Sequence, residues 1–317
     1  MKKTALLSFL CLFAMPFTAA VAQVTTRIPL KIIVPYSPGG ATDFLARMLQ
    51  KPLSDILNQP VIIENKSGAS GTIGTDYVAK AAPDGNTIVF GNQAPNAIVP
   101  AFRKTPYDPL HDLRPLTTVA FMPLVVVTSA EKGPKTFKEL LQQGRQPGEN
   151  LHYGSSGNGS IAHLTGHEFA RQGKLMATHI PYQGGGQVIP GLLRGDVRIS
   201  FLTGSDIAAL PGKVRILGVT SSKRLATLPD VPAVAEEIPG FTSVVWFAFF
   251  APKGTSNEIA GRLRNAIIKA VEQPAFQKFV AERHGEATTS TPEALTELVK
   301  QDMKVWGAVA REANIPR

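Results

Sequence analysis

The chain has 317 residues, 44% of them hydrophobic and 18% charged. That composition is near the globular average and excludes disorder, collagen and coiled coil, while the length suits two domains whose core needs no disulfides. A formal net charge of +9, from 33 Lys and Arg against 24 Asp and Glu, invites a polyanion as partner; the basic residues lack the interleaved aromatics of a nucleic-acid surface, so no nucleic acid is expected.

Residues 1–22 read as a secretory signal peptide. Lys2 and Lys3 form the positive n-region, Ala5 to Phe13 the apolar run, and Ala20-Val21-Ala22 the small-x-small cleavage site. The run is too short to span a bilayer. The only cysteine, Cys11, lies inside it, and the preceding Ser8-Phe9-Leu10 lacks the small residues expected before a lipidated cysteine. Cleavage near Ala22 therefore leaves a thiol-free chain, without disulfides or a thiol nucleophile. No later stretch is long enough to span a membrane, so a soluble exported protein is expected.

From there short apolar runs alternate with helical patterns. Strands are expected at Leu30–Pro35, Val61–Glu64, Thr87–Phe90, Pro123–Thr128, Leu151–Tyr153, Thr178–Pro181, Val197–Leu202 and Arg215–Thr220. Helical spacing occupies Ala41–Leu57, Thr72–Ala82, Thr136–Gln143, Ser160–Gln172 and Gln187–Arg194. This alternation predicts an α/β fold with parallel sheets flanked by helices. The C-terminal part has one apolar run, Val244–Ala251, then helices at Asn257–Val271, Pro274–Glu282 and Pro292–Ala313, with Ser-Asn and Thr-Pro starts. Two Pro-rich polar segments, Thr105–Arg114 and Ser221–Pro232, bracket a central block of domain size. A chain that leaves one domain, builds a second and returns gives one lobe from 23–122 plus 222–317 and another from 123–221.

The most informative residues follow the strands. Four strand-to-helix loops are rich in glycine and hydroxyls: 36–43 (YSPGGATD), 65–71 (NKSGASG), 154–160 (GSSGNGS) and 182–186 (YQGGG). Glycine lets backbone approach a ligand, and each helix start offers unpaired N–H donors and a positive dipole end. Together they make an anion site at the carboxyl ends of strands. The loops hold one cation, Lys66, and no arginine. A phosphate usually recruits Arg or Lys, so neutral donors point to a carboxylate.

Enzyme readings fail on spacing. No Gly-Lys-Ser/Thr of a P-loop occurs, and Gly154-Ser155-Ser156-Gly157-Asn158 misses the last glycine of a nucleophile elbow. Gly157-x-Gly159-x-x-Ala162 fits a relaxed dinucleotide pattern, but no acid follows at Pro181-Tyr182-Gln183. His163 and His167 stand at i, i+4 beside Glu168, yet Leu164 occupies the zincin glutamate position and no third metal ligand is evident. Asp43 and Asp206 could form an acid/base pair, though such residues more often cap helices or bind a ligand. Trp246, in an apolar run, suits either the core or a pocket wall.

At these residues the sequence resembles the periplasmic receptors of the tripartite tricarboxylate transporters, the Bordetella uptake gene (Bug) receptors. The likeness runs through Lys31 to Gly40 (KIIVPYSPGG) with Asp43 and Ala46-Arg47, Gln59 to Asn65 (QPVIIEN), Gly68-Ala69-Ser70-Gly71 with Gly74, and Ala82-Pro83-Asp84-Gly85. It continues through Tyr153 to Gly157 with Gly159-Ser160 and His163-Leu164, Pro181-Tyr182-Gln183-Gly184, Thr220 to Arg224 and Leu228 to Pro232.

The resemblance implies a two-lobed periplasmic binding protein of type II, a Venus flytrap in which each lobe is a mostly parallel sheet flanked by helices. A small carboxylate sits in the cleft, held by Tyr36, Pro38, Gly39, Gly40 and Asp43, by Ser70 and Gly71, and by Asn92 and Gln93. Ser155, Ser156, Asn158, Ser160 and His163 complete the cage, and Tyr182, Gln183, Gly184, Gly185, Asp206 and Trp246 close it. The receptor is expected to act as a monomer without cofactor or metal, to catalyse nothing, and to deliver its ligand to the membrane permease. A sensor arm for carboxylate signalling, or an exported enzyme using Asp43, His163 or Asp206, are the alternatives. Departures from the family pattern at His167, Gly185-Gly186-Gln187 and Phe247-Ala248 bear on ligand identity.

Overall fold

The computed structural model describes residues 28–182, 185–208 and 210–315. The expected signal peptide with Cys11, and two expected cleft residues, Gln183 and Gly184, lie outside the described residues.

The strands are β1 (Leu30–Val34), β2 (Val61–Asn65), β3 (Thr87–Asn92), β4 (Leu113–Ser129), β5 (Leu151–Ser155), β6 (Ala177–Pro181), β7 (Ile199–Thr203), β8 (Val214–Val219) and β9 (Val244–Pro252). The helices are α1 (Ala41–Leu57), α2 (Thr72–Ala79), α3 (Val99–Phe102), α4 (Phe137–Gly144), α5 (Ile161–Gly173), α6 (Gly185–Arg194), α7 (Gly204–Ile207), α8 (Val234–Glu237), α9 (Asn257–Val271), α10 (Pro274–Ala281) and α11 (Pro292–Glu312). The expected helix starts are capped as their sequences imply. Ser256 accepts the Ile259 N–H and Thr291 the Ala294 N–H, with Pro292 opening α11 where its missing N–H costs nothing.

Strand order is β2-β1-β3-β9-β4-β7-β5-β6, with β8 on the other edge of β4. In the first sheet β1 pairs in parallel with β2 and β3, and β9 runs antiparallel between β3 and β4. In the second, β5 pairs in parallel with β6 and β7, and β4 runs antiparallel to β7 and β8. The fold is that of a two-lobed type II periplasmic binding protein.

Strand β4 is far longer than the apolar run Pro123–Thr128 suggests. Residues 113–123 pair with β9, and residues from Leu124 onward pair with β7 and β8. Pro115 and Pro123 hide this continuity, because proline normally breaks a central strand. The register absorbs the irregularity through two shifts, between Pro115 and Thr117 and between Thr118 and Ala120. One strand therefore serves both sheets.

The return passage runs beside it. Fully buried Thr220 joins the two: its Oγ1 accepts the Leu124 N–H at 2.9 Å and lies 2.9 Å from the Leu124 carbonyl and 2.5 Å from the Ser243 carbonyl. Its backbone N–H donates to Leu124 O and its carbonyl accepts the Ser243 N–H, both at 2.9 Å. Between Thr220 and Ser243 the chain packs on the second sheet: Leu225, Leu228, Val231 and Ala233 join Val125, Val127 and Val219, and Phe241 packs edge-on against Phe169.

Thr220→Val keeps the side-chain volume but removes the hydroxyl, stranding a buried N–H and carbonyl at the junction. A loss of about 1–3 kcal/mol is expected in urea unfolding, with Thr220→Ser close to the native value.

Candidate functional site

A cleft of about 860 Å³ lies between the loops at the ends of the two sheets. From the first sheet it is lined by the loop after β1, the loop after β2, and Asn92 at the end of β3. Ser156 to Asn158, Tyr182, Leu202 to Thr203 and Asp206 line it from the second.

Asp43 builds the first loop from behind. It is 2% exposed. One carboxylate oxygen accepts the Gly39 N–H at 3.0 Å and Arg47 Nε at 2.9 Å; the other accepts the Asn65 amide at 2.9 Å. Burial alone would raise its pKa, but the bonds from Arg47, Asn65 and Gly39 outweigh that and hold the carboxyl below its usual range. Gly39 has φ +91°, a conformation glycine adopts without strain. Gly40 opens α1 without a capping side chain of its own, and the helix start reaches the cleft, where Asp206 accepts the Ala41 N–H.

Tyr36 hydroxyl donates to Asn92 Oδ1 at 2.7 Å, and burial pushes its pKa above the ordinary tyrosine value. The loop after β2 winds through four successive positive-φ residues, Gly68, Ala69, Ser70 and Gly71. Non-glycine residues there carry strain of the kind that clusters at ligand clamps. The turn brings Ser70 Oγ to donate across the cleft to Asn158 O at 2.7 Å.

The second wall has its own support. Ser155 Oγ accepts the Gly157 N–H at 3.1 Å and lies 2.6 Å from His179 Nε2. His163 Nδ1 accepts the Gly159 N–H at 3.1 Å, and the His163 and His179 rings stack at 3.6 Å. Ser160 caps α5 through the His163 N–H. Asp206 forms a capping box with Thr203 at the start of α7, and its other oxygen accepts the Ala41 N–H from the first sheet at 3.3 Å. Burial pushes the Asp206 pKa up, against the bonds from Thr203 and Ala41 that lower it.

Of the residues expected to hold a ligand, Tyr36, Pro38, Gly40, Ser70, Gly71, Asn92, Ser156, Asn158, Tyr182 and Asp206 line the cleft. Gly39, Asp43, Ser155, Ser160 and His163 stand behind it, bonding to the loops that do. Gln93 is fully buried and ties β3 to β9 through Val244 O and the Trp246 N–H. Gly185 begins α6. Trp246 does not line the cleft. Side chains alternate along a strand, so Val245 and Phe247 face the cleft while Trp246 packs on the opposite face against Phe250 and donates Nε1–H to Asp302 at 2.7 Å. Of the departures from the family pattern, Gln187 and Phe247 line the cleft.

The loop cation expected near the site is engaged elsewhere. Lys66 pairs with Glu64 at 2.6 Å and lies over the Tyr77 ring. Instead Arg103, not foreseen from the sequence, lines the cleft with Phe201, Leu202 and Phe247. It follows α3, a short helix continuous with a π-helical turn at Ala94–Ile98, and neither has the length of a periodic sequence signal. Among the described residues no group of three or more His, Cys, Asp or Glu is placed to share a metal ion, and no helix is long and apolar enough to cross a membrane.

Residues 45–315 match the family described as the tripartite tricarboxylate transporter family receptor. This chain belongs to that receptor family. The receptor is 35% identical to BugT of Bordetella pertussis, over 90% of this chain and 89% of that protein. Among solved structures it resembles the periplasmic binding protein BugD, with a TM-score of 0.84 at 30% identity, covering 90% and 98% of the two chains. A protein of R. palustris solved with adipate superposes with a TM-score of 0.86 at 30% identity, covering 92% and 99%. MatC of Rhodopseudomonas palustris, solved with bound malate, gives 0.82 at 29%, covering 89% and 98%. The family consists of solute-binding receptors, not enzymes.

Two outcomes follow for the receptor's stability. Asp43→Ala leaves the Gly39 N–H and the Asn65 amide without their acceptor, and a loss of about 2–3 kcal/mol is expected in chemical denaturation. Burial, with the neighbouring His179 and His167, lowers the His163 pKa from 6.5 to about 3, and burial lowers that of His179 from 6.5 to about 4. The unfolded chain takes up these protons near pH 6.5 while the folded chain refuses them. The stability from keeping both rings neutral is thus complete above pH 6.5 and is lost as pH falls toward 4 and then 3. The urea midpoint should drop between about pH 6.5 and pH 4.5, with a shallower drop in His163→Asn; equal midpoints across that window contradict the reading.

Proposed function

We propose that the chain is an extracytoplasmic receptor that binds a small organic carboxylate between its two sheets and delivers it to the membrane permease of a tripartite tricarboxylate system. The observation that carries this is the character of the first wall. The start of α1, the backbone after β1, and the Ser37 and Ser67 hydroxyls line one cleft. Such neutral donors satisfy a carboxylate well. The relatives solved with malate and with adipate support the ligand class.

On this reading Tyr36, Pro38, Gly40, Ser70, Gly71, Asn92, Ser156, Asn158 and Tyr182 contact the ligand. Asp43, Gly39, Ser155, Ser160 and His163 hold those loops in place. Asp206 and Ser70 latch the lobes across the cleft through Ala41 N–H and Asn158 O. The lobes turn about the two passages, β4 near Met122–Leu124 and the return at Ser243–Val244. Residues 222–243 then travel with the second lobe, because their apolar side chains are embedded in it. The signal peptide is removed near Ala22, and the receptor works in the periplasm as a monomer.

Ligand binding only to the folded state stabilises it by about 2.7 kcal/mol at a hundredfold excess over Kd. A thermal-shift panel of mono-, di- and tricarboxylates, aromatic acids and acidic amino acids should therefore yield a saturable rise in Tm for a subset of acids. Small-angle scattering should show a smaller radius with the best of them. A panel with no hit argues against a carboxylate receptor.

A further inference from the structure

The cleft wall contains two charged side chains among the described residues, Arg103 and Asp206. They differ in one respect. Asp206 is internally satisfied, with its oxygens taken by the Thr203 N–H, the Thr203 hydroxyl and the Ala41 N–H. Arg103 has no carboxylate partner: the arginine ion pairs among the described residues involve Arg47, Arg171, Arg194, Arg224 and Arg283. An arginine left unpaired in a half-enclosed cleft is a standing attraction for an anion, stronger there than on an open surface. Its planar fork also matches a carboxylate in two parallel bonds.

Its base is held in place. The Arg103 N–H closes the helical turn on Val99 O at 3.0 Å. The neighbouring Phe102 ring sits against Gly159 of the facing loop, so closely that a Cβ on Gly159 would come within 2.8 Å of the ring. Arg103 thus starts from a segment seated against the second wall. The backbone after β1 and the Ser37 and Ser67 hydroxyls offer neutral donors for one carboxylate, so on the carboxylate reading the arginine is surplus to a monoanion.

We propose that Arg103 is the counter-ion of a second carboxylate, making the cleft select dianionic over monoanionic acids. This rests on the carboxylate reading of the site. A ligand with two carboxylates uses the backbone and hydroxyl donors at one end and the guanidinium at the other. Leu202, Phe201 and Phe247 also line the cleft, and their apolar side chains suit the methylenes of such a ligand.

The test is titration calorimetry of the whole mature receptor with a series of straight-chain dicarboxylates and the monocarboxylates of equal length. The wild type should bind at least one dicarboxylate about tenfold or more tightly than its monocarboxylate. Arg103→Gln should weaken that dicarboxylate by about 10- to 100-fold and leave monocarboxylate binding within about twofold, with Arg103→Lys between them. Arg103 is half-buried and carries no side-chain bond, so both variants should fold as the parent does. Unchanged dicarboxylate affinity in Arg103→Gln, or equal losses for both classes, overturns the assignment while leaving the carboxylate reading intact. A wild type that binds no acid of either class overturns both.

Discussion

The molecule depends on one buried junction. Strand β4 leaves one sheet and enters the other without a break, and the returning chain lies against it at Thr220 and Ser243. Two sheets sharing a strand cannot separate. The Thr220 hydroxyl meets both passages in a place without water, where an unpaired N–H or carbonyl would be costly. Thr165 extends the contact, its Oγ1 lying 2.6 Å from Ser243 Oγ, so helix α5 of the second lobe is tied to the same point. The cleft exists because this junction holds two loop-bearing sheet ends toward each other.

On each side of the cleft the working surface is mostly backbone, and buried polar side chains shape it. Asp43 gathers Gly39, Arg47 and Asn65 in the first lobe. Ser155, His163 and His179 do the equivalent in the second, bonding Gly157 and Gly159 from behind. A donor surface built this way is arranged before any ligand arrives, which reduces the ordering cost of binding. Burial holds both imidazoles of this scaffold below their ordinary pKa, so the second wall is built on neutral rings. Charge is sparse on this surface: among the described residues Arg103 and Asp206 are the charged side chains that line the cleft.

Much of this was legible in the sequence. The Gly- and Ser-rich loops after β1, β2 and β5 could be recognised because glycine and hydroxyl residues between an apolar run and a helical pattern have few other uses. Helix α1 and helix α9 begin and end where their spacing predicts, since amphipathic periodicity over four or five turns is a strong signal. Less visible were features that depend on distant partners. The loop sequence marks Asp43 as a polar residue near the ligand, but its place behind the loop depends on Asn65, twenty-two residues on. For Trp246 the sequence leaves core and pocket wall open, because an apolar run does not reveal which face is which until its neighbours are paired.

Sequence alone determined the class of the protein: alternating strands and helices, turn chemistry at the strand ends, and family motifs in order along the chain. These are local properties, set by side-chain period and backbone conformational preference, so they survive without three-dimensional context. Tertiary structure decided which of those residues share a cavity. It extended β4 through two prolines into both sheets, turned Lys66 away toward Glu64, and placed Arg103 in the cleft. Each outcome is set by contacts between residues far apart in the chain, through packing, pairing and desolvation, and no local pattern encodes those.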